Sequence, residues 1–213
     1  HVLHLSTADE LELFTAGPVE GKRITAEACV HHLWFCDDDY ERLGNRIKCN
    51  PAIKSARDRQ ALREALVADK IDVIGTDHAP HTREEKERPY LQAPSGLPLV
   101  QYALPALLEL QRQGLFSLPQ LVHKTSHAPA RLFGIKARGF IREGYWADLV
   151  LVDPSCPTAL DPGGILYKCG WSPFNGPAWR ASVGATWVSG HLAYQAGQTP
   201  QGPRGMPLEF VPP

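Results

Sequence analysis

The chain has 213 residues, 43% of them hydrophobic and 21% charged, with a formal net charge of -1. That length allows one large domain or one and a half, and the composition is ordinary for a globular protein. The charge balance gives no electrostatic reason to expect nucleic acid or an anionic membrane as partner, and no apolar run reaches the roughly 20 residues that span a bilayer.

The chain opens on HVLHLS, which reads as a strand with no initiator Met and so as part of a longer chain. HVLHLSTADE carries histidine and turns acidic at once, unlike a signal peptide. ADELELF follows as an amphipathic turn or helix. RITAEAC, residues 23–29, is a second strand feeding the polar-tipped HHLWF, and RIKCN, residues 46–50, is a third. SARDRQALREALVADK is a helix with Ser55 placed to cap its N-terminus. IDVIGT, residues 71–76, is a fourth strand, apolar enough for burial on both faces, as in parallel sheets. The helices PLVQYALPALLELQRQ, LPQLVHKT and APARLFG come next. Strands alternating with helices argue for a parallel α/β fold.

The texture changes at residues 138–139. GFIREGYWADLVLVDP and SVGATWVSGHLAYQAG hold short Val-, Leu- and Trp-rich strands with glycine turns, an antiparallel β module. The tail QTPQGPRGMPLEFVPP has no periodicity and reads as extended chain lying over the surface. The five cysteines, Cys29, Cys36, Cys49, Cys156 and Cys169, are odd in number and form no CxxC pair. They read as reduced thiols of a cytoplasmic protein.

Three metal-capable side chains fall at the C-terminal ends of expected parallel strands: His4, His32 and Asp77. Reactive groups of parallel α/β barrels gather at that end. Imidazole and carboxylate are the usual ligands of a catalytic zinc, which lowers the pKa of a bound water toward about 7. A carboxylate beside that water can take its proton and return it, and Asp77 suits both roles. Each residue also has a plainer reading. A lone strand-end histidine is more often a hydrogen-bonded structural residue, one of His31 and His32 must point away, and Asp77 could cap its own turn through the amides of Ala79 or His81.

TDHAPHTREEK, residues 76–86, closely resembles the signature of dihydroorotases, the cyclic amidohydrolases of pyrimidine synthesis. HVLHLST and TAEACVHHLWF resemble their metal-ligand strands. KCNPAIKS resembles their substrate segment, and SGLPLVQYALPALLE the stretch that closes the active site. HAPARLFGI, REGYWADLVLVDP and ATWVSGHLAY resemble the closing helix and return strands of the wider superfamily.

The resemblance implies a binuclear zinc centre in which His4 and His32 hold one metal, while Asp77 binds the other and shuttles the proton. It implies that Asn50 contacts the pyrimidine ring, that His81 holds the substrate carboxylate with an arginine elsewhere, and that the Ser95–Gly96 backbone meets the ring. His78 takes a structural role, orienting a neighbour. Val30 stands where many relatives have proline, a change to the turn and not to the chemistry.

The family's His-x-His pair and its carboxylated lysine find no match in this chain. A full (β/α)8 barrel takes about 250 residues. The expected fold is therefore α/β: the C-terminal half of a metal-dependent-hydrolase TIM-like barrel over residues 1–138, then part of a small β-sandwich and a tail over residues 139–213. The expected function is zinc-dependent, reversible hydrolysis of dihydroorotate to N-carbamoyl-aspartate. The expected partner is that small molecule, with no nucleic acid or membrane, and homodimers are common among such enzymes. A hydantoinase or allantoinase is the enzymatic alternative, against which the SGLPLVQ loop and Asn50 weigh. A non-catalytic homologue acting as a scaffold is the other alternative.

Overall fold

A computed structural model of the protein describes residues 1–158, 162–174, 179–202 and 205–211. A 3-10 turn, Asp9–Leu13, follows the opening segment. Next come strand β1 (Glu27–Cys29), helix α1 (Val30–Trp34), helix α2 (Asp39–Leu43), helix α3 (Ala56–Val67) and strand β2 (Val73–Gly75). Helices α4 (Arg83–Lys86), α5 (Val100–Arg112), α6 (Leu118–Val122) and α7 (Ala128–Leu132) follow, and then strands β3 (Leu149–Asp153), β4 (Ser182–Val188) and β5 (His191–Gln195).

β1 and β2 pair in parallel, Glu27 opposite Val73 and Cys29 opposite Gly75. The opening segment extends this sheet only through a parallel bridge, Val2 to Ala26, with Leu5 N–H donating to the Glu27 carbonyl at 2.8 Å. The expected first strand is thus a short edge. At the other end of β2 its apolar run hides an acid: Asp72 is 3% exposed and accepts from Lys22 Nζ at 2.6 Å and from Ala26 N–H at 2.8 Å. A buried carboxylate needs such partners, and these two tie the N-terminal ends of β1 and β2 together.

Helix α3 begins where its sequence places it. Ser55 Oγ accepts from Asp58 N–H and the Asp58 carboxylate accepts from Ser55 N–H, each at 3.2 Å, a reciprocal cap. Its Leu62, Ala65 and Leu66 face the core. The third expected strand is a correction. Gly44–Ile47 is a 3-10 turn, and residues 48–50 run on without joining a ladder. Ile47 and Cys49 are buried, so the alternation that imitates a strand is real. The Lys48 carbonyl, however, accepts from Gly96 N–H, a loop contact and not a strand neighbour. The two helices expected around residues 118–134 are one continuous run, joined by a π turn at His123–His127. Pro129 follows that turn, and its ring would clash with the carbonyl four residues back in a regular helix.

The C-terminal strands form one antiparallel sheet in the order β3-β4-β5. A second, facing layer of a sandwich is not among the described residues. The tail does lie along the body: Phe210 bridges Ile135, and the Glu209 carbonyl accepts from Lys136 N–H at 2.9 Å. Tail residues 203–204 and 212–213 are outside the described residues. The β3–β4 connection turns back into the main core. Phe174 stacks on Phe35 at 5.5 Å, and Trp179 meets Trp34 at 5.3 Å and Tyr102 at 6.2 Å. This aromatic contact binds α1, α5 and the connection into one buried cluster.

Candidate metal and substrate site

His4 and Asp77 both leave their strands with left-handed backbone, φ 39° and 45°. Non-glycine residues adopt that region at a cost and persist there when their surroundings over-determine them, which is common at functional sites. Asp77 is exposed, and it makes no hydrogen bond with the described residues. The plainer reading of Asp77 as a turn cap fails here, because Ala79 N–H donates instead to the Leu97 carbonyl at 3.0 Å.

His31 and His32 follow β1 directly, at the start of α1. Both are buried, with ring centroids 4.1 Å apart. His32 Nε2 lies 3.0 Å from the Pro51 carbonyl. A carbonyl only accepts, so Nε2 carries the hydrogen and Nδ1 keeps a lone pair, which is buried without a partner among the described residues. Burial pushes the His32 pKa down to about 4, with the Pro51 hydrogen bond opposing and His4 adding to the effect. His32 is therefore a neutral imidazole at ordinary pH, the ligating form. His31 is the more surprising of the two: it is wholly buried, neither ring nitrogen has a hydrogen-bond partner among the described residues, and burial holds its pKa well below the ordinary value.

His4 and Asp77 both act electrostatically on His32. They do not close into a cage with it. Among the described residues two groups of three metal-capable side chains have donor atoms within 4.8 Å of one another, Cys29–His31–His32 and Cys36–Asp37–Asp38. The donor chemistry of His4, His32 and Asp77 nevertheless fits zinc, and a buried imidazole nitrogen with a free lone pair, such as His32 Nδ1, is the donor such a site needs. Three donors are too few for two metals.

The substrate candidates sit on neighbouring loops. Asn50 is exposed at the end of the 44–50 segment. His81 Nε2 is 3.1 Å from the Ser95 carbonyl, so it donates there, and Nδ1 lies 3.7 Å from the Glu85 carboxylate. His78 and Leu97 form a parallel bridge. Gly96 has φ 134°, and a Cβ there would lie 2.5 Å from the Ala79 carbonyl oxygen. The 77–81 and 95–97 segments thus touch with no room for a side chain. His78 orients its neighbours: Nδ1 accepts from Leu99 and Val100 N–H at 2.9 and 3.2 Å, which caps α5.

Sequence reasoning gave no role to three residues that shape this rim. Lys86 is 1% exposed and holds three loop carbonyls. The Tyr167 hydroxyl accepts from Gln101 and Tyr102 N–H, and its ring lies 5.3 Å from His78. Trp171 Nε1 donates to the His81 carbonyl. The last letter of TDHAPHTREEK was the one available signal for Lys86; nothing local marks Tyr167 or Trp171.

Known proteins resemble this chain in both sequence and shape. Dihydroorotase of Halobacterium salinarum is 40% identical over 176 residues, 83% of this chain and 40% of that protein. Dihydroorotase of Bacillus subtilis is 37% identical over 199 residues, 93% of this chain and 46% of that protein. The chain thus spans less than half the length of these curated relatives. Among solved structures, L-hydantoinase (dihydropyrimidinase) from Arthrobacter aurescens superposes with a TM-score of 0.84 at 31% identity, covering 94% of this chain and 46% of that one. D-hydantoinase (dihydropyrimidinase) from Thermus sp. gives 0.83 at 25% identity, with the same coverage. These neighbours share an α/β architecture of the TIM-barrel type. The profile of the amidohydrolase family matches residues 2–193, nearly the whole sequence, and the chain belongs to that family.

Proposed function

We propose that this chain forms the C-terminal half of a dihydroorotase barrel with part of its β-sandwich, and that the active protein hydrolyses the ring amide of dihydroorotate to N-carbamoyl-aspartate, reversibly. Two curated dihydroorotases at 37–40% identity support the substrate. The observation that carries the chemistry is Asp77: a carboxylate in left-handed backbone at the end of β2, with no hydrogen bond to the described residues, electrostatically in reach of His32.

His4 and His32 would hold one zinc ion and Asp77 would meet a second. The bound metals would polarise the ring carbonyl and ease ionisation of the attacking water. Asp77 takes the proton of that water and returns it to the ring nitrogen as the amide opens. Asn50 and the Ser95–Gly96 backbone meet the ring. His81 serves the substrate carboxylate, and to do so it must release or share the Ser95 carbonyl it now holds. The remaining donors that the family resemblance implies, a His-x-His pair and a carboxylated lysine, would come from residues outside this chain.

Asp77→Asn removes turnover, by about 100-fold or more, while leaving the fold intact. Near-normal activity in that variant would show that another group moves the proton. The hydantoinase neighbours favour a second reading, a cyclic amidohydrolase of hydantoins. Parallel assays with zinc supplied, on dihydroorotate, hydantoin and allantoin, decide between the two. A folded protein that turns over none of them and binds no stoichiometric zinc overturns both and leaves a scaffold.

A further inference from the structure

Lys86 is among the most buried side chains of the protein, and it carries a charge. Its Nζ donates to the Lys48 carbonyl at 2.8 Å, the Pro94 carbonyl at 2.8 Å and the Gly96 carbonyl at 2.9 Å. No carboxylate pairs with it among the described residues. A buried ammonium without a counter-ion is costly to the fold, so its retention calls for a reason that an apolar side chain could not meet. Geometry provides one. An ammonium sends three donors from a single atom, and no other side chain does. Three carbonyls from two separate loops converge on that point.

The clasp has a reciprocal half. Lys48 Nζ reaches the other way, to the Tyr90 and Ala93 carbonyls at 2.5 and 2.6 Å, with its charge 4.3 Å above the Tyr90 ring centre. Gly96 N–H returns to the Lys48 carbonyl at 3.0 Å, and Asn45 Nδ2 donates to the Arg88 carbonyl at 2.7 Å. Helix α4 is a single turn, capped by Thr82 and Glu85, and it sets Lys86 five residues after His81. Asn50 lies two residues beyond Lys48. Every segment assigned to substrate is therefore anchored at or beside one nitrogen.

We propose that Lys86 is a positioning residue: its ammonium fixes the 48–50 and 94–96 loops relative to His81 and so sets the affinity for the cyclic amide. This inference rests on the substrate role of those loops given above. Loops that only bind act on ground state and transition state alike, so Lys86→Met should raise KM by about 10-fold or more with kcat changed about 3-fold at most. In the same variant, backbone hydrogen exchange at residues 48–50 and 94–97 should speed up while exchange in α3 and α5 stays at its wild-type rate. A folded Lys86→Met protein with unchanged KM and unchanged loop exchange overturns the proposal. A kcat loss at constant KM overturns it too, since that would put Lys86 in the chemistry. Should Lys86→Met fail to fold, Lys86→Gln leaves two N–H donors and no charge at the same point, and unchanged KM and loop exchange there overturn the proposal equally. If the wild-type protein hydrolyses no cyclic amide, the dihydroorotase reading fails, and the exchange result alone decides whether Lys86 pins the loops.

Discussion

The indole Nε1 of Trp171 donates to the backbone carbonyl of His81 at 2.8 Å, across 90 residues of chain. The β3–β4 connection thereby braces the loop that carries the candidate carboxylate-binding histidine. Trp171→Phe keeps an aromatic ring at this buried position and removes only the donor. It should cost about 1 kcal/mol of stability. KM should rise about 3- to 10-fold, because the loop loses a fixed point. Thermal unfolding and steady-state kinetics of the variant check both, and an unchanged KM would mean that the brace serves the fold alone.

Gly96 tolerates no side chain. Its φ of 134° is a glycine conformation, and an alanine Cβ would press to 2.5 Å on the Ala79 carbonyl oxygen and 3.1 Å on His81 Cδ2. Gly96→Ala must push the 95–97 segment away from the 77–81 segment. A stability loss of about 1–3 kcal/mol is expected, with a larger proportional loss in kcat/KM. A variant with wild-type kinetics would show that the packing of these two segments does not matter to the site.

The pH dependence follows from Lys86. Burial lowers its pKa from 10.5 to about 8, and the Lys48 charge adds to that shift. Burial raises Cys49 to about 12, so it stays a neutral thiol through this range. A neutral amine has two N–H groups for three carbonyls, so KM should climb as pH rises through about 8. Stability moves the other way on this group's account. Its folded pKa is depressed, so the unfolded chain binds more protons between pH 8 and 10.5, and folding gains with pH across that window. A KM limb near pH 8, absent in Lys86→Met and unaccompanied by unfolding, is the expected signature.

Metal removal should separate site from scaffold. The buried His32 Nδ1 has no partner among the described residues, and its neighbours in the core, Val30, Leu33 and Phe35, are apolar side chains with no metal-binding atom. Dialysis against a chelator should abolish turnover and leave far-ultraviolet circular dichroism unchanged, with zinc restoring activity. His32→Gln should lower zinc stoichiometry and resist that restoration. Full zinc content in the variant would remove His32 from the ligand set.

Much of this arrangement was legible before any fold was known. The reciprocal cap on α3 needs only Ser55 and Asp58, three residues apart, and local spacing announces it. The antiparallel β3–β4–β5 sheet followed from alternating Val, Leu and Trp with glycine turns. RIKCN misled for a physical reason. Ile47 and Cys49 alternate in burial as a strand would, but a strand also needs a neighbour for its backbone, and loop carbonyls and amides took that place. The closing helix reads as two in the sequence because the π turn before Pro129 breaks the 3.6-residue rhythm.

The sequence by itself determined which chemistry is present. Imidazoles and a carboxylate follow the opening segment, β1 and β2, in a chain that matches the amidohydrolase family, because side-chain type and chain position are local properties. Only the tertiary structure decided how those groups are held. It put His32 Nε2 on the Pro51 carbonyl, left the expected metal trio uncaged, made His78 the cap of α5, and drew the Lys48, Pro94 and Gly96 carbonyls onto Lys86. Those partners are backbone atoms, which every residue carries alike. No pattern of side chains distinguishes one carbonyl from another until the chain has folded and brought them within reach of a donor.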